Sequence, residues 1–324
     1  MEKKVSIIIP VYNAEKTIEK CLDSILGGTF SDYKIIAIND GSTDGSWKIL
    51  ENYKEKFPEK IRIFNQENQG VAKTRNAGLG YSTSKYIMFI DCDDWVDSDY
   101  LERFIGEAET GNSDMVIGGY RRITNEKILY KASLKNTEWS KYMIMAPWSR
   151  VYKRSFLSEN KIEFLNNIGE DIYFNLQAIN LTSNVSIINY TGYNWFFNKQ
   201  SISNKIKKES PSKFNVMFLL DSCYDKLGEI GAAQKKEVEF YFLRYIIWYI
   251  LFIGRRYSYN DINLEFISTF NWLKNKFPEF EKNKNISLIH PSGETMRNKF
   301  IVYVFFILYR INLIKTFLRI YSRA

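Results

Sequence analysis

Short hydrophobic runs alternate with helical periodicity along the first part of the chain. Four runs have the length and apolar content of buried strands, at 5–10, 34–38, 61–64 and 86–90. Between the first two, apolar residues recur every three or four positions, as at Ile18, Leu22 and Ile25, which predicts a helix. Strands that alternate with helices imply right-handed βαβ units and a largely parallel sheet. The pattern therefore predicts an α/β fold, Rossmann-like, with helices on both faces.

Strands and helices continue to be predicted along the chain until about Pro211, beyond which the pattern predicts helices. Strands are predicted at 114–120, 185–189 and 193–197, helices at 98–109 and from 170, and a hairpin with a short helix within 121–145. The paired Gly118 and Gly119 permit close approach of a ligand or another backbone. Beyond Pro211 four helices are predicted, at 211–228, 231–254, 261–277 and 297–322. We expect an α/β domain over 1–205 and a helical region over 206–324.

Polar residues follow three of the four first strands. They are Tyr12 and Asn13, then Asn39 and Asp40, then Asp91, Asp93 and Asp94. Open α/β sheets bind ligands beyond the carboxyl ends of their strands, so this is the layout of a nucleotide site. No G-x-G-x-x-G motif follows the first strand, which disfavours a dinucleotide-dependent dehydrogenase. The P-loop pattern is also absent.

The run Tyr86–Ile90 ends in three carboxylates within four residues. Alternate residues of an extended chain point the same way, so Asp91 and Asp93 can face one site while Asp94 faces elsewhere. Mg²⁺ or Mn²⁺ commonly takes one or two carboxylates and completes its coordination with water and substrate phosphate. The alternative is an acidic turn before a helix capped by Ser98 or Asp99. Spacing alone leaves both interpretations open.

Composition limits the cellular compartments and the classes of partner that suit this chain. The 324 residues carry a net charge of +8, which favours anionic partners without identifying them. Cys21, Cys92 and Cys223 lie far apart without metal-ligand spacing, which suits a reducing compartment. The first apolar run is too short for a signal peptide, and no uncharged stretch approaches the roughly 20 residues that span a bilayer. We expect a cytoplasmic protein.

The tail 297–324 contains six Lys or Arg and no acid. On one continuous helix, Lys315, Arg319 and Arg323 would share a face and Ile311, Ile314, Leu318 and Tyr321 another. A basic amphipathic helix with aromatic residues is typical of an in-plane membrane anchor, although Arg310 falls on the apolar side. The alternative is a helix packed on the catalytic domain with a solvated basic face.

Six motifs, in order, resemble the family-2 inverting glycosyltransferases of the GT-A fold, of the bacterial polysaccharide-biosynthesis type. They are Val5-Ser6-Ile7-Ile8-Ile9-Pro10-Val11-Tyr12-Asn13, Asn39-Asp40-Gly41-Ser42-Thr43-Asp44, Asn68-Gln69-Gly70-Val71-Ala72, Arg75-Asn76-Ala77-Gly78, Asp91-Cys92-Asp93-Asp94 and Gly169-Glu170-Asp171. Each motif alone is modest evidence, but six in this order make a specific match that spans residues 5–171, about half of the chain.

This resemblance implies a site for a nucleotide-sugar, usually a UDP-sugar. It implies that Pro10, Tyr12 and Asp40 contact the uracil, that Arg75 lies near the base or phosphates, and that Asp91 touches the ribose. Asp93 would ligate the Mn²⁺ or Mg²⁺ that bridges the diphosphate. The alternative to a nucleotide-binding role is that Tyr12 and Arg75 are packing and surface residues.

The resemblance also implies a base and an acceptor site. Asp171 matches the catalytic aspartate, Glu170 and Asp94 would lie on the acceptor side, and Trp148 matches an aromatic residue of the sugar subsites. Trp148 equally suits a core position, and Glu170 equally suits a helix start, where the dipole favours acids. The expected reaction is sugar transfer to a glycan, on a lipid-linked oligosaccharide at the inner face of the cell membrane, with oligomers possible and no nucleic acid involved. The alternatives are a nucleotidyltransferase and a non-catalytic membrane-associated assembly protein.

Two positions depart from the family pattern. Asn39 stands where relatives often have aspartate, and Phe196 stands where they often have arginine. Without this arginine, another cation would have to bind the diphosphate. The candidates are Lys199, Lys205, Lys207 and Lys208. The single histidine, His290, lies far along the chain and is not expected in the site.

Overall fold

The computed structural model describes residues 2–197, 215–227 and 232–322, with backbone alone at 232 and 233. The chain divides into two compact units. The first comprises Met1–Asn136 and Ile144–Asn198, and the second comprises Thr137–Met143 and Lys199–Ala324. The predicted site residues from Pro10 to Asp171 all belong to the first unit.

A seven-stranded sheet forms the centre of the first unit. Its order is β10 (Val185–Ile187), β6 (Met115–Ile117), β9 (Arg150–Lys153), β4 (Tyr86–Phe89), β1 (Val5–Val11), β2 (Tyr33–Asp40) and β3 (Ile61–Gln66). All neighbours pair in parallel except β9, which is antiparallel to both β4 and β6. Every residue of β1 is buried, as expected of a central strand covered on both faces. The predicted α/β fold is confirmed.

A second sheet of four strands corrects one prediction. Its order is β5 (Trp95–Val96), β11 (Tyr193–Phe196), β7 (Tyr120–Ile123) and β8 (Ile128–Ala132). The strand predicted at 114–120 is wrong in extent, because the chain leaves the first sheet at Gly118 and enters the second. A Cβ on Gly119 would lie 1.9 Å from the Ala132 carbonyl oxygen, so the glycine permits contact with another backbone. The strands β5 and β9 were not predicted.

In the described part of the first unit, six helices connect the strands. They are α1 (Ile18–Leu26), α2 (Ser46–Lys56), α3 (Val71–Tyr81), α4 (Tyr100–Thr110), α5 (Arg154–Glu159) and α6 (Glu170–Asn180). α3 lies close against β1 and β2, where a Cβ on Gly78 would come within 2.4 Å of Ile8 Cγ2. α6 begins at Glu170, directly after Gly169 at φ 89°.

The described part of the second unit is helical. It contains a 3₁₀ turn (Glu138–Tyr142) and the helices α7 (Val216–Asp225), α8 (Ala232–Gly254), α9 (Tyr259–Lys276), α10 (Met296–Arg310) and α11 (Ile314–Tyr321). The single helix predicted at 297–322 is wrong. Asn312 adopts a left-handed φ of 59°, and the Leu313 amide donates to the Leu308 carbonyl at 2.9 Å. This is a helix C-terminal turn, which asparagine tolerates well.

The break also changes which residues of the tail face solvent. Ile314 and Leu318, expected on a lipid-facing side, are 3% and 0% exposed within the unit. The predicted membrane face of α11 is therefore wrong, although Lys315 and Arg319 remain exposed. Arg323 lies outside the described residues. Among those described, no helix is both long enough and apolar enough to span a bilayer.

Candidate active site

The loops after β1 and β2 are joined by side-chain hydrogen bonds. The Thr43 amide donates to Asn13 Oδ1 at 2.8 Å, and the Asn13 amide donates to Ser42 Oγ at 3.0 Å. Pro10 is buried within β1, whereas Tyr12 is 48% exposed. The loops thus present the Tyr12 ring as an open aromatic face, suited to stacking on a base.

Asp40, at the end of β2, is buried and holds the loop before α3. Its Oδ1 accepts from Gln66 Nε2 at 2.7 Å and from the Gln69 amide at 2.9 Å, while Oδ2 accepts from the Gly70 amide at 2.9 Å. A carboxylate has about four acceptor positions, and these three hydrogen bonds occupy three of them. Gln66 was not predicted, although it is a polar residue at the end of β3.

The three carboxylates after β4 have different surroundings. Asp94 is buried and accepts from the Tyr193 hydroxyl at 2.6 Å and from the Phe196 amide at 2.8 Å. Burial raises the pKa of Asp94 well above its usual value. Asp94 therefore links the segment Asp91–Asp94, which we call the acidic turn, to β11. Tyr193 is a partner that the sequence did not predict.

Arg75, on α3, joins two of the predicted site residues. Its Nη2 lies 2.8 Å from Asp91 Oδ1 and its Nη1 lies 3.1 Å from Glu170 Oε1. The Arg75 side chain is 5% exposed, and its guanidinium lies over the Phe164 ring. The end of β4 and the start of α6 thus meet at one cation.

Asp171, beside Glu170 in the first turn of α6, is partly exposed. Its Oδ1 accepts from the Ile172 amide at 2.8 Å. Burial and the charge of Glu170 raise the pKa of Asp171 to about 7, against the lowering effects of that amide and of Arg75. A carboxylate with this pKa is suited to accept a proton near neutral pH.

The acidic residues around Asp93 offer a metal ion few protein ligands. Within the described ranges no three His, Cys, Asp or Glu residues are grouped to hold one. Asp91 binds Arg75 and Asp94 binds Tyr193, which leaves the Asp93 carboxylate. Burial and the nearby Asp91 raise the pKa of Asp93 to about 6. A single free carboxylate fits Mg²⁺ or Mn²⁺ whose other ligands are water and substrate phosphate.

Trp148 and Phe196 both make aromatic contacts at β11, the first with Tyr193 and the second, which belongs to β11, with Trp95. Trp148 is 7% exposed and stacks on Tyr193 with ring centroids 4.6 Å apart, which makes it part of the packing around Tyr193. The Phe196 ring lies against Trp95. The lysines proposed to replace the missing arginine, Lys199, Lys205, Lys207 and Lys208, lie outside the described residues.

Curated relatives match about three fifths of the chain. The chain is 34% identical over 194 residues to the poly(ribitol-phosphate) beta-glucosyltransferase of Bacillus spizizenii, which covers 57% of this chain and 31% of that protein. It is 29% identical over 223 residues to the glycosyltransferase GlyA of Streptococcus pneumoniae, covering 63% of this chain and 32% of that protein. The uncharacterized glycosyltransferase EpsJ of Bacillus subtilis is 32% identical over 217 residues. The chain thus spans about a third of the length of the first two and 62% of EpsJ.

A solved structure and a family model agree with these matches. The structure of Staphylococcus aureus TarS residues 1–349 in complex with UDP-GlcNAc matches with a TM-score of 0.75 at 21% identity. That match covers 95% of this chain and 92% of the TarS chain, which shows a common GT-A fold. The family model of glycosyl transferase family 2 matches residues 6–202, which include the predicted site residues from Pro10 to Asp171. The chain therefore belongs to glycosyl transferase family 2.

Proposed function

We propose that this protein transfers a sugar from a UDP-sugar to a glycan hydroxyl in the assembly of a bacterial surface polysaccharide, with inversion at the anomeric carbon. The observation that carries the proposal is the Arg75 bridge from Asp91 to Glu170. It brings the acidic turn, as the donor side, next to Asp171, as the base. TarS, solved with UDP-GlcNAc, and the relatives named for poly(ribitol-phosphate) support this donor and acceptor class.

Inversion requires one displacement. The acceptor oxygen forms a bond to the anomeric carbon, the bond from that carbon to the diphosphate oxygen breaks, and UDP leaves with the bonding pair. Asp171 takes the acceptor proton as the oxygen attacks. Glu170 orients the acceptor, while Arg75 holds Asp91 for the ribose. Tyr12 stacks on the uracil and Pro10 contacts it, while Asp40 fixes the adjoining loop.

Asp93 would hold Mg²⁺ or Mn²⁺ together with the donor diphosphate. When bound, the ion neutralises charge that develops on the leaving group. Asp93→Ala is therefore expected to abolish metal-dependent UDP binding in calorimetry. Glu163→Gln, which changes an exposed acid of the same unit, is expected to bind UDP with unchanged affinity.

The proposal is tested by supplying UDP-sugars one at a time, with Mn²⁺ and a lipid-linked oligosaccharide fraction as acceptor. We expect acceptor-dependent release of UDP from one of them and a product whose anomeric configuration, read by NMR, is inverted. Release that does not depend on an acceptor, or a product with retained configuration, would overturn the proposal.

We propose that the second unit holds the enzyme at the cytoplasmic face of the membrane through α10, in place of the side of α11 first predicted. The α10 stripe consists of residues that recur at helical spacing and lie on one exposed side: Met296, Phe300, Val304, Ile307 and Ile311. Exposed cations adjoin it, including Arg297, Arg310 and Lys315, and no acid occurs from 296 to 322. An apolar stripe flanked by cations complements an anionic bilayer surface.

A further inference from the structure

One side of the second sheet carries aromatic rings and a single arginine, and we call it the aromatic face. It consists of Tyr120 and Arg122 on β7, Tyr130 on β8, and Trp195 and Phe197 at β11. The Tyr120 ring centroid lies 5.8 Å from that of Trp195 and 6.2 Å from that of Tyr130. Tyr130 is 48% exposed, and the other four side chains are partly exposed. The rings therefore form a surface that solvent reaches.

Arg122 is the cation of this face. Its guanidinium lies over two rings, 4.2 Å from the Trp195 centroid and 5.0 Å from that of Phe197. Its Nε is buried without a hydrogen-bond partner in the described ranges. The neighbouring Arg121 points to the opposite side, where it pairs with Asp97. Among the described residues, Arg122 is thus stacked in place without a carboxylate partner, and its terminal nitrogens donate no hydrogen bond to those residues.

We propose that the aromatic face binds the acceptor glycan and that Arg122 holds a phosphodiester group on it. This inference rests on the proposed function and names its acceptor class. A sugar ring buries its apolar C–H face against an aromatic ring, which is favourable in water. A stacked guanidinium presents parallel N–H groups that match two oxygens of a phosphate.

The position of the face favours the acceptor over the donor. Trp148 lies between it and the acidic turn, because it contacts both Tyr120 and Tyr193, and Tyr193 donates to Asp94. From β11 the face continues across β7 to β8. Three strands spaced about 4.8 Å apart span about 10 Å, which accommodates two linked sugar rings. A chain lying there would run outward from the site where the sugar is transferred.

The test measures binding of a glycerol phosphate octamer and of uncharged maltooctaose to the full-length protein, with Mn²⁺ and UDP present. We expect the wild type to prefer the phosphate oligomer. Arg122→Gln should weaken its binding by about tenfold or more, and Arg122→Lys should recover only part of it, because lysine cannot bind bidentately. The matched control is Lys131→Gln, which removes an exposed cation of β8 beside Tyr130 and should change binding by less than about twofold.

UDP affinity, measured on the same variants, separates the two proposals. If Arg122→Gln binds the phosphate oligomer as the wild type does, or if the wild type does not bind it, the acceptor site is wrong while UDP binding still supports the glycosyltransferase. If Arg122→Gln loses UDP affinity instead, Arg122 belongs to the donor site and the inference is overturned. Absence of UDP binding by the wild type would contradict the proposed function itself.

Discussion

Arg75 balances the charges of the candidate site. Three carboxylates act on it, since Asp91, Glu170 and Asp171 all raise its pKa. Removing one partner of a largely buried ion pair leaves the others without compensation, which costs more than the pair contributes. The guanidinium therefore sustains both the position of Asp91 and the ionisation of Asp171.

Arg75→Gln is expected to lower the free energy of unfolding by about 3 kcal/mol, because it leaves Asp91 and Glu170 unpaired in a poorly hydrated site. Urea denaturation measures this change. The control is Arg62→Gln, which removes an exposed arginine and should alter stability by less than about 0.5 kcal/mol. Equal stabilities of the two variants would contradict the bridging role of Arg75.

The pKa of Asp171 predicts the pH dependence of transfer. Because a base must be ionised, kcat should rise with pH through an apparent pKa of about 7 and reach a plateau above it. Glu170→Gln removes the negative charge that raises the pKa of Asp171. It also frees Arg75, whose positive charge lowers that pKa. The rise of kcat should therefore shift to lower pH. Rate profiles of both proteins check the sign, and an upward shift would contradict the assignment.

The sequence predicted which residue types lie at the carboxyl ends of the strands, because the motifs themselves contain the polar and acidic residues of the site. It did not predict their partners. Asp40 binds the Gln69 and Gly70 amides, and Asp94 binds Tyr193, through contacts between residues far apart in the chain. Such contacts depend on packing that local patterns do not encode.

Helix α3 positions Arg75 through close packing on the sheet. A Cβ on Gly78 would lie 2.4 Å from Ile8 Cγ2 and 3.2 Å from Ile38 Cδ1, whereas a Cβ on Gly80 would meet nothing within 4 Å. The two glycines lie two residues apart on the same helix. Only the first is required for the helix to approach the strands that carry the loops of the site.

Gly78→Ala is expected to destabilise the protein by about 1–3 kcal/mol, because the added methyl overpacks the contact with β1. Gly80→Ala is expected to stabilise it by about 0.5–1 kcal/mol, because alanine favours the helix and fills open space. Thermal denaturation of the two variants should therefore give shifts of opposite sign. Destabilisation by both would contradict the described packing of α3.

Element boundaries were predictable where the hydrophobic period was long and uniform, as in β1 and α1. The antiparallel β9 was missed because Val151 and Tyr152 form too short an apolar run to stand out. The break between α10 and α11 was missed because helical periodicity continues across Asn312. The asparagine was a usable signal, since it tolerates the left-handed conformation that ends a helix.

The packing of the second unit decides which variants can test the proposed membrane association of the whole molecule. Deleting 297–324 would remove Phe305 and Phe306, which are buried in the unit, so a truncated protein would report on folding. Substitutions on the exposed stripe of α10 avoid this difficulty. They change the surface while leaving the packed side of the helix intact.

Phe300→Glu with Ile307→Glu is expected to abolish flotation of the protein with phosphatidylglycerol vesicles, because it places acids in the apolar stripe. The wild type should float with these vesicles and less with neutral phosphatidylcholine ones. Leu264→Glu, a change on the exposed side of α9, should behave as the wild type. Flotation of the double variant at the wild-type level would rule out α10 as the contact.

If Asp171 takes the acceptor proton while the acidic turn holds the donor, Asp171→Asn should separate transfer from donor binding. The measurement compares the rate of sugar transfer with the affinity for UDP in the presence of Mn²⁺, for this variant and the wild type. We predict a loss of transfer of about a hundredfold or more with UDP affinity unchanged, since the amide keeps the shape of the side chain but cannot accept the proton. Transfer at the wild-type rate by Asp171→Asn would contradict the account.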